Sequence, residues 1–445
     1  MAEKFGDLEE RLGWAFLGDG QTRVGAARLS VTRRTIFLEL PLDDEVSKAL
    51  GIDEFAASVG ELEPLSERFV FVDHHGRVGL GGCGYSKSTS HIGGDKTGWI
   101  QIRAQYAVEL GSRVQDYWSV SGMRSEIAGL AAWSGLASVK TSNELNEDGL
   151  IQGMSISATS QDPTGIGTDD GLSLKPYFSL SESRSNGQYT ISERVFVQTW
   201  YDDPIPWEQH LKSHQIMQDL LTFSYWKACG QRIGSVSSSR YPLEKPSSGN
   251  AVGEKWRDVV VDWSGRGSDA TPMVLPGSRM ALFTLQDLGV SGVKRWIDER
   301  ATWVRVVGPL VASRFQKNHT VEVTILQVGI SIEALGYQIA LRKGLIQAGG
   351  KQSFPQYLKR IEETIDCDLS PVFEGHSGVE EFSNFNDWAD AFNGVYKEAK
   401  HADHPLPDPI RGWVLSEAGA LLVRLWMGRE LGVDRSTLER NARYQ

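Results

Sequence analysis

At roughly 100–200 residues per domain, a chain of 445 residues excludes a single small module and predicts two or three domains. Forty per cent hydrophobic residues, 23% charged residues, and 14 Trp, 12 Tyr and 16 Phe spread along the chain exclude wholesale disorder. The formal charge of −11, from 46 basic and 57 acidic side chains, excludes a chain-wide clamp on a polyphosphate.

The first part of the chain reads as strands. Ile36, Leu38 and Leu40 alternate with Thr35, Phe37 and Glu39, the period that half-buries one face of a sheet, although Phe37 blurs it. Similar runs predict strands at 12–17, 24–31, 68–72, 99–110, 115–120, 151–157, 177–181 and 188–200. Residues 68–72 and 77–80, joined across Asp73-His74-His75-Gly76, read as a hairpin. A helix is expected over about 206–229, with Pro206 in its first turn and Gly230 as its stop. The Ser-, Pro- and Gly-rich stretch 235–253 reads as a loop, followed by short strands at 259–263 and 280–285.

Beyond about Val293 the period changes to 3.6. Val321, Ile325, Val328, Ile332, Leu335 and Ile339 step by four and three, and Gly344 is placed to end that helix. Further helices are expected at 293–315, 355–365, 384–400 and 413–431, which makes a bundle of about five. The fold class is therefore α+β: a large, mainly antiparallel β domain over 1–292, including the helix near 206–229, and an all-α bundle over 293–445. The acidic excess falls almost wholly on the β part, with −9 over residues 1–300 and −2 over 301–445. The helical part is thus the less forbidding place for an anionic ligand, though it has no basic patch.

Cys83, Cys229 and Cys367 are far apart and odd in number, which fits a reducing compartment and gives no disulfide framework or zinc knuckle. The amino terminus lacks a signal-peptide pattern, and no uninterrupted apolar run approaches the roughly 20 residues of a membrane span. A cytoplasmic chain without membrane insertion is expected. Gly79-Leu80-Gly81-Gly82-Cys83-Gly84 fits the letters of a dinucleotide loop, but no helical period follows it, so a turn or bulge is the better account. His74-His75, with Asp73 beside them, read as hydrated turn histidines in preference to metal ligands, and no metal or cofactor is expected. Trp14, Trp99, Trp118, Trp133 and Trp200 read as core in preference to a stacking platform for a base or sugar.

The segment from Tyr396 to Pro405 carries more chemistry. Lys397 and His401 are four apart, on one helical face, and Pro405, Pro407 and Pro409 end the helix beyond them. An imidazole in a last helical turn, beside a lysine, can exchange a proton and offset phosphate charge. The same cations also suit a helix dipole with no catalytic role, and chemistry alone leaves both readings open, with the dipole ahead.

The layout resembles the ApeA-like family of bacterial antiphage proteins, in which a β-rich amino-terminal domain precedes a HEPN helical domain. The resemblance rests on Gly13-Trp14 with Thr35-Ile36-Phe37-Leu38-Glu39-Leu40 near the start, on Leu326 to Leu335 with its Ser331-Ile332-Glu333-Ala334-Leu335 core, and on Lys400-His401-Ala402-Asp403 at the end of a helix. It implies a metal-independent endoribonuclease with His401 as acid/base, Lys397 and Lys400 as charge-offsetting groups, and Tyr396 and His404 as binding residues. It also implies RNA, tRNA among the candidates, as substrate, a phage-derived trigger, and a homodimer through the helical domain. HEPN ribonucleases carry an Arg four to six residues before the His, and the window Val395, Tyr396, Lys397 has none. Lysine does not reproduce the two-pronged donor pattern of Arg. A non-enzymatic sensor, with the bundle used for pairing or ligand binding, is therefore the alternative expectation, and a housekeeping ligand-binding protein is a third.

Overall fold

The computed structural model describes residues 10–32, 35–51, 67–90, 98–111, 115–169, 171–183, 187–244, 251–262, 280–374 and 382–444. In chain order the strands and helices begin with β1 (Arg11–Leu17), β2 (Arg23–Val31), β3 (Ile36–Leu42), α1 (Asp44–Leu50), β4 (Arg68–Asp73), β5 (Gly76–Gly81), β6 (Gly84–Ser90), β7 (Gly98–Ala104), β8 (Tyr106–Gly111) and β9 (Ser119–Ile127). They continue through α2 (Leu130–Ser134), β10 (Val139–Leu145), β11 (Ile151–Ala158), β12 (Thr164–Gly165), β13 (Ser173–Ser183), β14 (Gln188–Pro206), α3 (Trp207–Tyr225), β15 (Gln231–Ser237), β16 (Leu243–Glu244), β17 (Ala251–Gly253) and β18 (Trp256–Val261). The rest is helical: α4 (Leu285–Asp298), α5 (Arg300–Phe315), α6 (Val321–Arg342), α7 (Phe354–Glu362), α8 (Ser370–Phe373), α9 (Phe385–Lys400), α10 (Pro409–Glu430) and α11 (Arg435–Ala442). This is the α+β class, with a large antiparallel sheet in the amino-terminal part and helices in the carboxy-terminal part.

Two compact units emerge. The first holds Met1–Glu126, Val197–His214 and Gln231–Asp269; the second holds Ile127–Phe196, Gln215–Gly230 and Ala270–Gln445. In the first unit the strands follow the order β14-β9-β15-β18-β8-β5-β4-β1-β2-β3-β7-β6, with β14 represented by its carboxy-terminal half. The pairings β1–β2, β2–β3, β3–β7, β4–β5, β5–β8, β8–β18 and β9–β14 are all antiparallel. Alternation sets which face is buried: Ile36, Leu38 and Leu40 are fully covered and join Leu29, Ile100 and Ile102 in one cluster. A second cluster forms where Trp207 and Leu211 pack on Val120, Val108 and Ile233. There Trp207 stacks on Tyr106 at 4.2 Å and donates its indole N–H to the Tyr117 carbonyl at 2.8 Å.

In the second unit α6 is the central helix, packed against α5, α7, α9 and α10. Its composition and length suit a membrane span, yet 56% of its apolar window is buried inside the protein, as a bundle's middle helix requires. Small residues set the spacing. Gly419 of α10 lies where a Cβ would sit 2.8 Å from Val328, and Gly329 of α6 lies where one would sit 2.3 Å from the Tyr396 ring. The helix starts carry ordinary caps: Thr284 and Ser353 form capping boxes, and the Asn384 and Asp408 side chains accept from the Asp387 and Arg411 N–H groups.

Several elements differ from expectation. The 68–72/77–80 hairpin forms, and Gly344, with φ 68, closes α6. The helix expected over 206–229 is Trp207–Tyr225, because Pro206 still belongs to β14 and Trp226 turns left-handed at φ 53. No strand occurs over 280–285; residues 280–284 are irregular, and the Thr284 cap commits Leu285 to α4. The strand expected over 99–110 breaks at Gln105 into β7 and β8, and the one expected over 115–120 lies later, at 119–127. Residues 231–237 form β15, so the stretch from 235 onward is not all loop. The helix expected over 293–315 starts earlier and divides at Glu299, and α10 starts at Pro409 and not at Trp413. The bundle accordingly has eight helices among the described residues, not about five. Residues 1–9 and Trp263 lie outside the described residues.

Candidate functional site

The expected site lies at the end of α9. Asn384 starts the helix, and Trp388, Phe392, Val395 and Tyr396 form its buried stripe, so the register leaves Lys397 and Lys400 exposed. Tyr396 joins the two segments the sequence singled out: its hydroxyl donates to Glu333 Oε2 of α6 at 3.2 Å, and its ring fits over Gly329. Burial pushes the Tyr396 phenol up, and the Glu333 carboxylate adds to this, so it stays a neutral donor. Lys400 Nζ lies 5.1 Å from the centre of the Tyr396 ring, a cation–π contact that sets its stem along the helix end.

His401 stands one residue beyond the helix, not in its last turn. Its backbone is extended, at φ −116 and ψ 123, while its N–H still donates to the Lys397 carbonyl at 2.9 Å. The chain then turns, with the His404 N–H donating to the His401 carbonyl at 3.2 Å, and the two imidazole rings lie 6.1 Å apart. His401, His404, Lys397 and Lys400 are all exposed, whereas Tyr396 is 4% exposed. The result is a solvent-facing group of two imidazoles and two ammonium groups around a helix carboxy terminus, able to meet an anion. Sequence reading did not extract the Glu333–Tyr396 link, although the glycine four residues before Glu333 hinted at a close neighbour.

A different histidine constellation lies in the first unit. His210 and His214, four apart on α3, are fully buried. His210 Nε2 lies 2.9 Å from the Val120 carbonyl, which fixes it as donor, so His210 Nδ1 accepts from the Thr199 hydroxyl at 2.7 Å. Thr199 Oγ1 then accepts from His214 Nε2 at 3.0 Å, and His214 Nδ1 accepts from Ser125 Oγ at 2.6 Å. Gln231 Nε2 donates to Ser125 at 3.4 Å. Every link runs in one direction. Burial and the neighbouring His210 depress the His214 imidazole to about 3, so it stays neutral. The four-residue spacing in the sequence was the available signal for this pair.

The remaining sequence candidates separate. His74 and His75 are exposed in the β4–β5 turn, with ligand atoms within 4.8 Å of those of Asp73. The Asp73 carboxylate is already engaged by the Arg11 guanidinium and by the His75 and Gly76 N–H groups. Gly79–Gly84 passes from β5 through Gly82, at φ 59, into β6, so no helix follows it. Of the tryptophans, Trp133 is core at 1% exposure, Trp118 and Trp200 are partly buried, and Trp14 and Trp99 are exposed. The three cysteines are free, and burial pushes Cys83 and Cys229 up to about 12 and Cys367 up to about 11.

Residues 51–257 match the family described as ApeA N-terminal domain 1. Neither a curated protein nor a solved structure matches the chain. The matched stretch runs from the end of α1 to the start of β18 and so takes in α3 with its buried histidines. The β-rich part thus contains a region similar to ApeA N-terminal domain 1, and a helical carboxy-terminal region follows it.

Proposed function

We propose that the protein acts in antiphage defence, in the cytoplasm, through RNA cleavage by its helical region under control of the ApeA-type region. The ApeA family match supports the defence role, and the exposed His401, Lys397 and Lys400 around the α9 terminus support the chemistry. In this reading the helical region is HEPN-like. His401 takes the proton of an RNA 2′-hydroxyl or returns one to the leaving oxygen, Lys397 and Lys400 offset the charge that develops on the phosphate, and Tyr396 and His404 border the bound strand. None of these steps calls on a metal ion. Pairing of two copies through the helical region is supported by Leu406, Ile410 and Trp413, which follow the site and are 76%, 65% and 56% exposed.

The test is inducible expression of parent and His401→Ala with and without phage, scoring growth arrest, phage yield and the integrity of tRNA and mRNA. The reading requires fragmented RNA and lost phage yield in the parent and neither in the variant; intact RNA in the infected parent overturns it. A non-enzymatic defence protein is the second reading, favoured by the absence of Arg in the window before His401. Protection that survives His401→Ala selects that alternative.

A further inference from the structure

The outward face of the first unit's sheet carries a constellation separate from the helical site. Strands β1, β2, β3, β7 and β6 are neighbours in that order, and their registers pair Leu12 with Arg28, Arg28 with Glu39, Glu39 with Gln101 and Gln101 with Lys87. Cross-strand partners share a face, so these side chains make one row about 19 Å long at roughly 4.8 Å per strand. The next row along the strands is apolar: Trp14 pairs with Ala26 and Pro41 with Trp99. Ala26 and Pro41 offer little bulk beside Trp99, and a cavity of about 690 Å³ is lined by them with Leu12, Trp99, Arg28, Glu39, Gln101 and Lys87. Leu12 and Trp99 are 77% and 54% exposed, whereas the alternate residues Leu29, Leu38 and Ile100 form the core on the other face. These two large apolar side chains face the cavity and not the core.

The polar row narrows the ligand. Arg28 Nε donates to Glu39 Oε2 at 2.7 Å, and Gln101 Nε2 donates to Glu39 Oε1 at 2.8 Å. Guanidinium and carboxylate cancel, and Glu10, 3.5 Å from Arg28 Nη1, adds a negative charge against that of Lys87. A polyphosphate finds no net attraction here. A chain of hydroxyl groups, each both donor and acceptor, matches a neutral strip of guanidinium, carboxylate and amide, and the C–H face of a sugar ring matches an exposed indole. The cavity has the size of a small-molecule site. The geometry points to a groove for a neutral oligosaccharide, with a ring stacked on Trp99 and hydroxyls on Arg28, Glu39 and Gln101. This stands apart from RNA cleavage, and its test reads binding alone.

The full-length protein is titrated calorimetrically with maltohexaose, cellohexaose and chitohexaose, and with oligouridylate as a charged stacking probe. Saturable binding of one hexaose with Kd below about 1 mM is expected, weakened about tenfold or more by Trp99→Ala, less by Gln101→Ala, and partly restored in Trp99→Phe. Because Trp99 is exposed, the far-ultraviolet circular dichroism of each variant should equal that of the parent. No saturable binding of any hexaose up to about 10 mM overturns the proposal. Equal binding by Trp99→Ala overturns it as well, and binding of oligouridylate in place of the sugars converts the groove into a platform for single strands.

Discussion

The chain places a titratable pair four residues apart at two helix positions, with opposite results. His210 and His214 lie inside α3, fully buried, and are locked between Ser125, Thr199 and the Val120 carbonyl. Lys397 and His401 lie at the open end of α9, where His401 has left the helix and both side chains face solvent. Spacing alone gives both pairs the same face. What separates them is the cost of an unpaired polar group: inside, each donor must find an acceptor, whereas outside water does so. The buried pair is fixed as a hydrogen-bonded brace, and the exposed pair is open to meet an anion.

The comparison breaks hardest at Thr199. Thr199→Val removes the hydroxyl that bridges His210 Nδ1 and His214 Nε2 and should cost roughly 2–6 kcal/mol, read as a lowered midpoint in urea unfolding. Gly329→Ala comes next, since its Cβ would meet the Tyr396 ring at 2.3 Å; a loss of about 1–3 kcal/mol is expected, with the proposed RNA cleavage reduced because Tyr396 underlies the candidate site. Acid sharpens the contrast. His214 is depressed in the folded state, so below about pH 6.5 the unfolded chain binds a proton that the folded chain refuses. Its contribution to stability is complete above that pH and falls by about 1.4 kcal/mol per unit towards pH 3. Thermal unfolding followed between pH 7 and 5 checks the slope, which His214→Gln should flatten. The smallest effect belongs to the exposed pair: His401→Ala and Lys397→Ala should shift stability by less than about 0.5 kcal/mol while abolishing the proposed RNA cleavage.

Regular alternation and 3.6-residue steps made much of the architecture legible. β3 and α6 appear where Ile36, Leu38, Leu40 and the Val321-to-Ile339 pattern put them, because both are buried along a continuous face. Reading failed where local signals are overruled by neighbours. Residues 280–285 look like a strand, yet Leu282 and Phe283 are buried as an irregular segment and Trp133 takes the Phe283 carbonyl. The helix over 207–225 was legible, but its seven buried polar side chains, from His210 to Ser224, were not, because their partners come from distant strands and loops. At the candidate site the cations were legible from spacing, but the departure of His401 from the helix was not. The tryptophans of the outer sheet face were misjudged as core because a single indole in a strand reads the same on either side of the sheet.

The second compact unit draws on residues 215–230, and this has a consequence for dissection of the molecule. Arg424, 1% exposed in α10, donates to the carbonyls of Phe223 and Ser224, Arg300 pairs with Asp219, and Trp296 donates to the Ile216 carbonyl. A fragment limited to 293–445 would keep these donors and lose every one of those acceptors, leaving two guanidinium groups and an indole newly bared. Such a fragment should be insoluble or toxic for reasons unrelated to catalysis. A toxicity assay on the isolated helices would therefore mislead, and inactivation is better done by single substitution in the intact chain.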